Sequence, residues 1–323
     1  MLTITGTSGF IASAYIAYLN SLGISDILAV DLADLPHHGR LLGNKKISQF
    51  LDKNEFISLL RADKLPNQIS AVIHLGACSR TTERNLDYLR ETNVEYSKSI
   101  IEYCVTKNIR CIYASSAATY GDGAQGYSDD HATLDRYKPL NAYGDSKHQV
   151  DLWARDRGYL DQVTALKFFN VYGPNEYFKG DMASIAWKAF NAIKETGSFS
   201  LFKSHRPDFK DGEQMRDFVY VKDCCQVISW LTANPHVNGV YNVGSGEARS
   251  WNDLLKAIFA AMGREPVIKY IDMPESLRDQ YQYYTEAPIE KLRAAGYKAP
   301  IATLEEGVRD YITNYLMQAD MIW

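Results

Sequence analysis

Tyr143 and Lys147 stand four residues apart in Asn-Ala-Tyr-Gly-Asp-Ser-Lys, downstream of a chain that opens Thr-Ile-Thr-Gly-Thr-Ser-Gly-Phe-Ile. On a helix, positions i and i+4 share a face, so an ammonium would sit beside a phenol. A cation there favours the phenolate and lowers a pKa that is otherwise about 10. Such a group can take an alcohol proton while hydride leaves the same carbon for a nicotinamide. The opening supplies a place for that nicotinamide. Gly6 and Gly9 follow a short apolar strand, where the backbone turns tightly and approaches a pyrophosphate attracted by the next helix N-terminus. Ala12 holds the third small position, and Asp31 ends the second apolar strand, placed for ribose hydroxyls. Either half of the pattern is common alone; together they point to oxidation and reduction of an alcohol.

The elements that must position these groups are visible as apolar runs. Residues 2–5, 27–31, 71–75, 111–115 and 163–168 alternate with helical stretches, which predicts a Rossmann-type, doubly wound parallel α/β sheet. Ligands on such sheets bind at the carboxyl ends of the strands, and the motifs fall there. We expect a dinucleotide-binding domain over 1–170, with returning segments at about 217–245 and 285–296. Residues 171–216, with 246–284 and 297–323, form a smaller mixed α/β lobe over the strand ends. Beyond residue 170 the pattern predicts a helix over 183–195, returning strands at 217–221 and 240–244, and a helix over 251–262.

Further candidates follow from position along these strands. Leu75, Gly76, Ala77, Cys78 and Ser79 succeed the third strand, and their small side chains let the chain pass beneath the adenosine and nicotinamide riboses. Asn93 lies on the next helix as a cofactor contact. His37, His38 and Arg40 follow Asp31 closely and are placed for a 2'-phosphate, so Asp31 favours NAD while its neighbours favour NADP. Ser115 and Ser116 end a strand, where a hydroxyl can hold a substrate oxygen beside Tyr143. Ala117 and Ala118 come next, where enzymes that dehydrate nucleotide sugars carry carboxylates. Elimination therefore lacks its acid and base.

Bulk properties narrow the class. The 323 residues are 46% hydrophobic and 23% charged with a net charge of −4, and no basic block suggests a nucleic-acid or membrane partner. No apolar stretch approaches the ~20 residues of a membrane helix. Cys78, Cys104, Cys111, Cys224 and Cys225 are odd in number and lack metal-ligand spacing. We read them as buried small hydrophobes in a reducing compartment, the cytoplasm, and expect no metal.

The motifs Thr-Gly-x-x-Gly-Phe-Ile, Ala-Ser-Ser-Ala-Ala-Thr-Tyr-Gly, Tyr-Gly-x-Ser-Lys and Phe-Asn-Val-Tyr-Gly-Pro resemble those of the extended short-chain dehydrogenase/reductase superfamily. Segments 74–79, 81–83, 170–184, 216–221, 281–285 and 292–297 make the chain similar, within it, to the ADP-heptose 6-epimerases. The resemblance implies epimerisation of a nucleotide-activated heptose at C6 through transient oxidation, for lipopolysaccharide core supply. Its alternative is a nucleotide-sugar 4-epimerase or dehydrogenase of the same superfamily. It assigns the acid–base pair to Tyr143 and Lys179, a substrate-orienting serine to Ser116 and a cofactor lysine to Lys147. Cofactor contacts are implied at Phe10, Ile11, Leu32, His38, Lys53 and Val171. Substrate contacts are implied at Asn170, Asp181, Lys188, Phe202, Lys203, Ser204, His205, Arg216 and Tyr281. It further implies NADP, with NAD possible, tightly bound at one per subunit, and a homo-oligomer. The chain departs from the pattern at Asn175, usually arginine, at Asp181, usually serine, and at Lys188, usually histidine. His38 stands where a lysine is usual, and an insertion lengthens the loop over 206–212.

Overall fold

In chain order the strands are β1 (Leu2–Thr5), β2 (Ile27–Asp31), β3 (Gln49–Asp52), β4 (Ala71–His74), β5 (Arg110–Ser116), β6 (Val163–Phe168), β7 (Asn170–Tyr172), β8 (Phe199–Phe202), β9 (Met215–Tyr220), β10 (Gly239–Val243), β11 (Ala248–Ser250) and β12 (Ile268–Ile271). They belong to a computed structural model that describes residues 1–66, 68–278 and 281–323. Seven pair in the order β10-β6-β5-β4-β1-β2-β3, all parallel. Helices cover both faces of this sheet, so its strands read as nearly continuous apolar runs. Side chains alternate between two cores. Ile4, Ile73, Ile112 and Leu166 face one, while Leu28, Val30, Val72 and Tyr113 face the other.

The fold class is the expected doubly wound α/β sheet, and differences lie at its margins. β3 has a single buried residue, Leu51, and is too polar an edge strand for an apolar pattern to reveal. Of the two strands expected to return, only β10 joins the large sheet. β9 instead lies between β7 and β11 in a separate three-stranded sheet, and β8 pairs with β12 in a third. The expected helix over 183–195 begins at Ile185, because the Ser184 hydroxyl accepts from the Trp187 N–H and caps it. All five cysteines are unpaired and buried. No helix among the described residues is long and apolar enough to cross a membrane.

The topology fixes where a ligand can enter. β1 lies between β2 and β4, so the connections reverse at β1 and open a crevice at the carboxyl ends of β1 and β4. Their register pairs Thr5 with His74, which brings Gly6 and Gly76 close together. Gly6 has φ +75°, and a Cβ there would meet the Gly76 Cα at 2.6 Å. Only glycine satisfies both demands.

Candidate active site

The crevice is a cleft of about 590 Å³, with a smaller cavity of about 200 Å³ around the end of β2. Its turn is shaped for an anion. The helix Phe10–Ser21 starts from Gly9 with no side-chain cap and no acidic residue in its first turn. Its first N–H groups are therefore left for an outside acceptor. In the same turn the Thr7 hydroxyl is buried without a partner. Asp31 is held rigidly, accepting from the Ser8 N–H at 2.7 Å and the Leu32 N–H at 2.8 Å. Gly6, Gly9, Phe10, Ile11, Leu75, Gly76, Ala77, Ser79 and Val171 line the cleft, while Leu32, Lys53 and Cys78 line the smaller cavity. An uncapped helix start, a fixed carboxylate and a glycine cradle suit a dinucleotide.

Two cofactor candidates lie elsewhere. His38 lines neither space; its Nδ1 is 2.8 Å from the Ser8 hydroxyl and its ring meets Phe50 edge-on. Its neighbour His37 lines the cleft instead, with Nε2 3.0 Å from the Ser8 carbonyl. The His37 ring also stacks on Phe178 at 5.0 Å and 10°, and the Arg40 guanidinium lies 5.6 Å from the same ring. Nothing local in the sequence announces this contact, which joins residues 141 positions apart.

Asn93, expected as a cofactor contact, is fully buried and lines neither space. It sits in a π-helical turn, Arg90–Glu95, whose wider pitch turns it inward. Its amide accepts from the Cys78 N–H at 2.8 Å and donates to the Cys78 carbonyl at 3.0 Å and the Ser146 hydroxyl at 2.9 Å. Asn93 thus braces the loop after β4 against the helix that carries Tyr143.

That helix, Ala142–Asp156, is capped by Asn141, which accepts from the Gly144 N–H. It presents Tyr143 and Lys147 to the cleft, beside Ser115 and Ser116 from the end of β5. The Ser116 hydroxyl accepts from the Ala118 N–H at 3.1 Å. Lys147 is nearly buried and donates to the Ala114 carbonyl at 2.9 Å. Burial draws its pKa down to about 8, against an upward pull from Asp151 and Cys78. Burial raises the Tyr143 phenol above its ordinary value, against a downward pull from Ser116. The lowering expected from an adjacent ammonium is not what sets the phenol, since burial dominates and the Lys147 hydrogen bond goes to the Ala114 carbonyl.

Lys179 enters the cleft from the loop between β7 and the helix Ile185–Thr196. Its ammonium lies 5.3 Å from the Phe10 ring centroid. Burial lowers its pKa, and Glu176 pulls the other way. Glu176 is fully buried and fixes the loop by accepting from the Gly173 N–H, the Ser184 N–H and the Ser184 hydroxyl. Asn175 takes the left-handed conformation at φ +78° and is buried, so an arginine in its place would need another path for the chain.

The remaining substrate candidates divide. Asn170 lines the cleft; Asp181 and Lys188 do not, Asp181 being exposed and Lys188 donating to its carbonyl at 2.7 Å. Arg216 is buried between aromatic faces, 5.6 Å from the Trp251 ring and 5.2 Å from the Tyr281 ring. Phe202 meets Tyr281 edge-on, and the Tyr281 hydroxyl accepts from the Trp251 indole at 2.9 Å. Trp251, which the sequence reading missed, also lines the cleft and so connects it to this aromatic group. Lys203 pairs with Asp272 at 3.0 Å, and the Ser204 N–H donates to Asp211. The inserted loop is tied down by His205, whose Nδ1 lies 2.8 Å from the Tyr283 hydroxyl, and by Arg206 over the Tyr283 ring at 4.8 Å.

A doubly wound sheet with a glycine turn, an acidic strand end and a Tyr-x-x-x-Lys helix defines a nicotinamide-dependent enzyme that oxidises and reduces an alcohol carbon. The chain belongs to the NAD dependent epimerase/dehydratase family, whose model matches residues 2–244. It is 52% identical over 320 residues to the ADP-L-glycero-D-manno-heptose-6-epimerase of Nitratidesulfovibrio vulgaris strain DP4, covering 99% of each chain. It is 45% identical to the enzyme of that name from Fusobacterium nucleatum, again over 99% of each. The crystal structure of the Helicobacter pylori ADP-L-glycero-D-manno-heptose-6-epimerase superposes with a TM-score of 0.80 at 28% identity, covering 97% of this chain and 95% of that one.

Proposed function

We propose that this protein interconverts ADP-D-glycero-D-manno-heptose and ADP-L-glycero-D-manno-heptose by inverting C6. The observation that carries this reading is that two proton-transfer candidates, Tyr143 on a helix and Lys179 on a loop, line one cleft. A bound nicotinamide supplies a hydride acceptor that also returns the hydride, so no net redox change occurs. Tyr143 takes the proton of the C6 hydroxyl as C6 loses hydride, which leaves a ketone planar at C6. Ser116 holds the oxygen, and Lys147 supports the charge on the phenol. After the ketone turns over, the Lys179 ammonium gives its own proton to the oxygen while hydride reaches the opposite face, and both groups regain their starting protonation by exchange with solvent. Two groups are needed because one fixed residue faces only one arrangement of oxygen and hydrogen.

Residues around Asp31 and the Gly6–Gly9 turn hold the cofactor. We assign NADP, one per subunit, because His37 lines the cleft with Asp31 and Arg40 lies over the Phe178 ring on which His37 stacks. Mass spectrometry of the nucleotide released on denaturation distinguishes NADP from NAD. The His37 ring lines the cleft and is held by its stack on Phe178, and this contact slows release. Phe178→Ala is expected to speed cofactor loss about two- to tenfold, the effect of an aromatic pair contributing about 0.5–1.5 kcal/mol. Dilution of the holoenzyme, followed by nucleotide analysis of the filtrate, measures this.

The reaction itself is tested by incubating the purified protein with ADP-D-glycero-D-manno-heptose and following the C6 epimer ratio by proton NMR. A fixed mixture of both epimers, reached without added cofactor, is the expected result. No change, even with NAD and NADP supplied, would transfer the reading to another nucleotide sugar.

A further inference from the structure

An ion pair lies beneath the floor of the cleft without contact to water. The Asp151 and Lys167 side chains are both 0% exposed, with Oδ2 and Nζ 2.8 Å apart. Asp151 sits one helical turn beyond Lys147, and Lys167 comes from β6. The carboxylate also accepts from the Ser115 hydroxyl at 2.6 Å and the Tyr113 hydroxyl at 2.9 Å. Lys167 donates further to the Thr119 hydroxyl at 2.5 Å and lies 4.9 Å from the Tyr120 ring centroid. Between Tyr113 and Ser115 stands Ala114, whose carbonyl receives Lys147. Three successive residues of β5 therefore link this pair to Lys147, and the fourth, Ser116, opens to the cleft.

Stability alone explains such a pair poorly. Desolvation offsets most of the attraction, and apolar residues of similar volume commonly do as well. Its location is more telling, because Lys147 is itself buried and needs a reason to keep its proton. Lys147 lies one helical turn from both Tyr143 and Asp151, and it is faced by Asp151 from its own helix, by His74 from β4 and by Cys78 from the following loop. His74 is held neutral by burial and by the nearby Lys147, its two nitrogens within 2.7 Å of the Thr5 hydroxyl and 2.9 Å of the Ser97 hydroxyl. Lys167 and His148 border Asp151 rather than Lys147. Among these groups Asp151 is the one carboxylate.

We propose that Asp151, itself held by Lys167, is a positioning residue that keeps the Lys147 ammonium charged and seated at the floor of the cleft. Lys167 shares the charge of Asp151, so that Lys147 is not drawn away from the cleft into the core. This inference rests on the roles proposed above for Tyr143 and Lys147.

The sign is open to test. Activity that needs a charged Lys147 falls as pH rises through its pKa, and Asp151 holds that pKa up. Asp151→Asn is expected to move the basic limb of the pH–kcat profile down by about one pH unit. Lys167→Met leaves the field of Asp151 undivided and is expected to move it up. Lys167→Arg keeps the charge and leaves the limb in place. A variant with one buried charge can fail to fold, so Asp151→Asn with Lys167→Met removes both and is expected to behave as Asp151→Asn. Acylation of Lys147 by acetic anhydride from about pH 6 to 10, read by peptide mass spectrometry, follows the same midpoint without turnover. Opposite shifts in the two single variants, or a downward shift in the folded double variant, support the proposal. Unmoved midpoints, or shifts of one sign in both single variants, overturn it. A wild type that lacks epimerase activity but shows these acylation shifts would instead overturn the reaction assigned above.

Discussion

Tyr143→Phe is expected to lower kcat for C6 inversion by about 10³-fold while the purified protein keeps its cofactor. The change removes one hydroxyl and leaves the ring to pack as before on the helix Ala142–Asp156. The groups that cradle a dinucleotide, from Gly6 to Asp31, belong to other elements and are untouched. What is lost is the acceptor for the alcohol proton, and a positioned acid–base group contributes about 10²–10⁴ in rate. Burial raises the Tyr143 phenol in the chain alone, with Ser116 pulling it down. Ser116→Ala should therefore give a smaller loss and move the acidic limb of the pH–kcat profile upward. Proton NMR of the epimer ratio, with nucleotide content measured on the same preparation, checks both. Loss of bound cofactor in Tyr143→Phe would show that the phenol holds the cleft together rather than moving a proton.

The sheet and its glycine turn were legible because both are written in local sequence. Buried parallel strands need apolar runs, and Gly6 must be glycine to pass Gly76 at φ +75°. Asp31 could be placed because it ends such a run. Asn93 was harder, since its inward turn depends on a π-helical pitch that no residue type specifies. His37 and Phe178 meet only through the tertiary fold, and His38 is turned instead toward Ser8 and Phe50. Asp151 followed the ordinary spacing of a helix surface residue, while Lys167 interrupted an apolar strand. The anomaly of Lys167 is explained only by a partner across the sheet-helix interface. Short-range chemistry is thus readable from order along the chain, whereas charge pairing beneath the site is set by which faces pack.

Lys179→Met should lower C6 inversion by about 10²–10³-fold, within the range of a lost acid–base group, and leave the first half of the reaction standing. Lys179 is suited to transfer because burial lowers its pKa from the usual lysine value, so it gives up a proton more readily than an exposed lysine does. Its place is set independently of Tyr143: Glu176 anchors the loop, and the ammonium lies over Phe10. Methionine keeps the length and apolar stem of the side chain, so the loop and its Phe10 contact should survive. Tyr143 still removes the hydroxyl proton from ADP-D-glycero-D-manno-heptose, and hydride still leaves C6. Rapid mixing should therefore show reduced nicotinamide forming in Lys179→Met, as in the wild type, while the second epimer accumulates slowly. In Tyr143→Phe with the same substrate it should not form. If Lys179→Met instead inverts its substrate at nearly the wild-type rate, Tyr143 alone suffices. The chemistry would then be that of a single-base nucleotide-sugar 4-epimerase, in which Lys179 is a cation over an aromatic ring and nothing more.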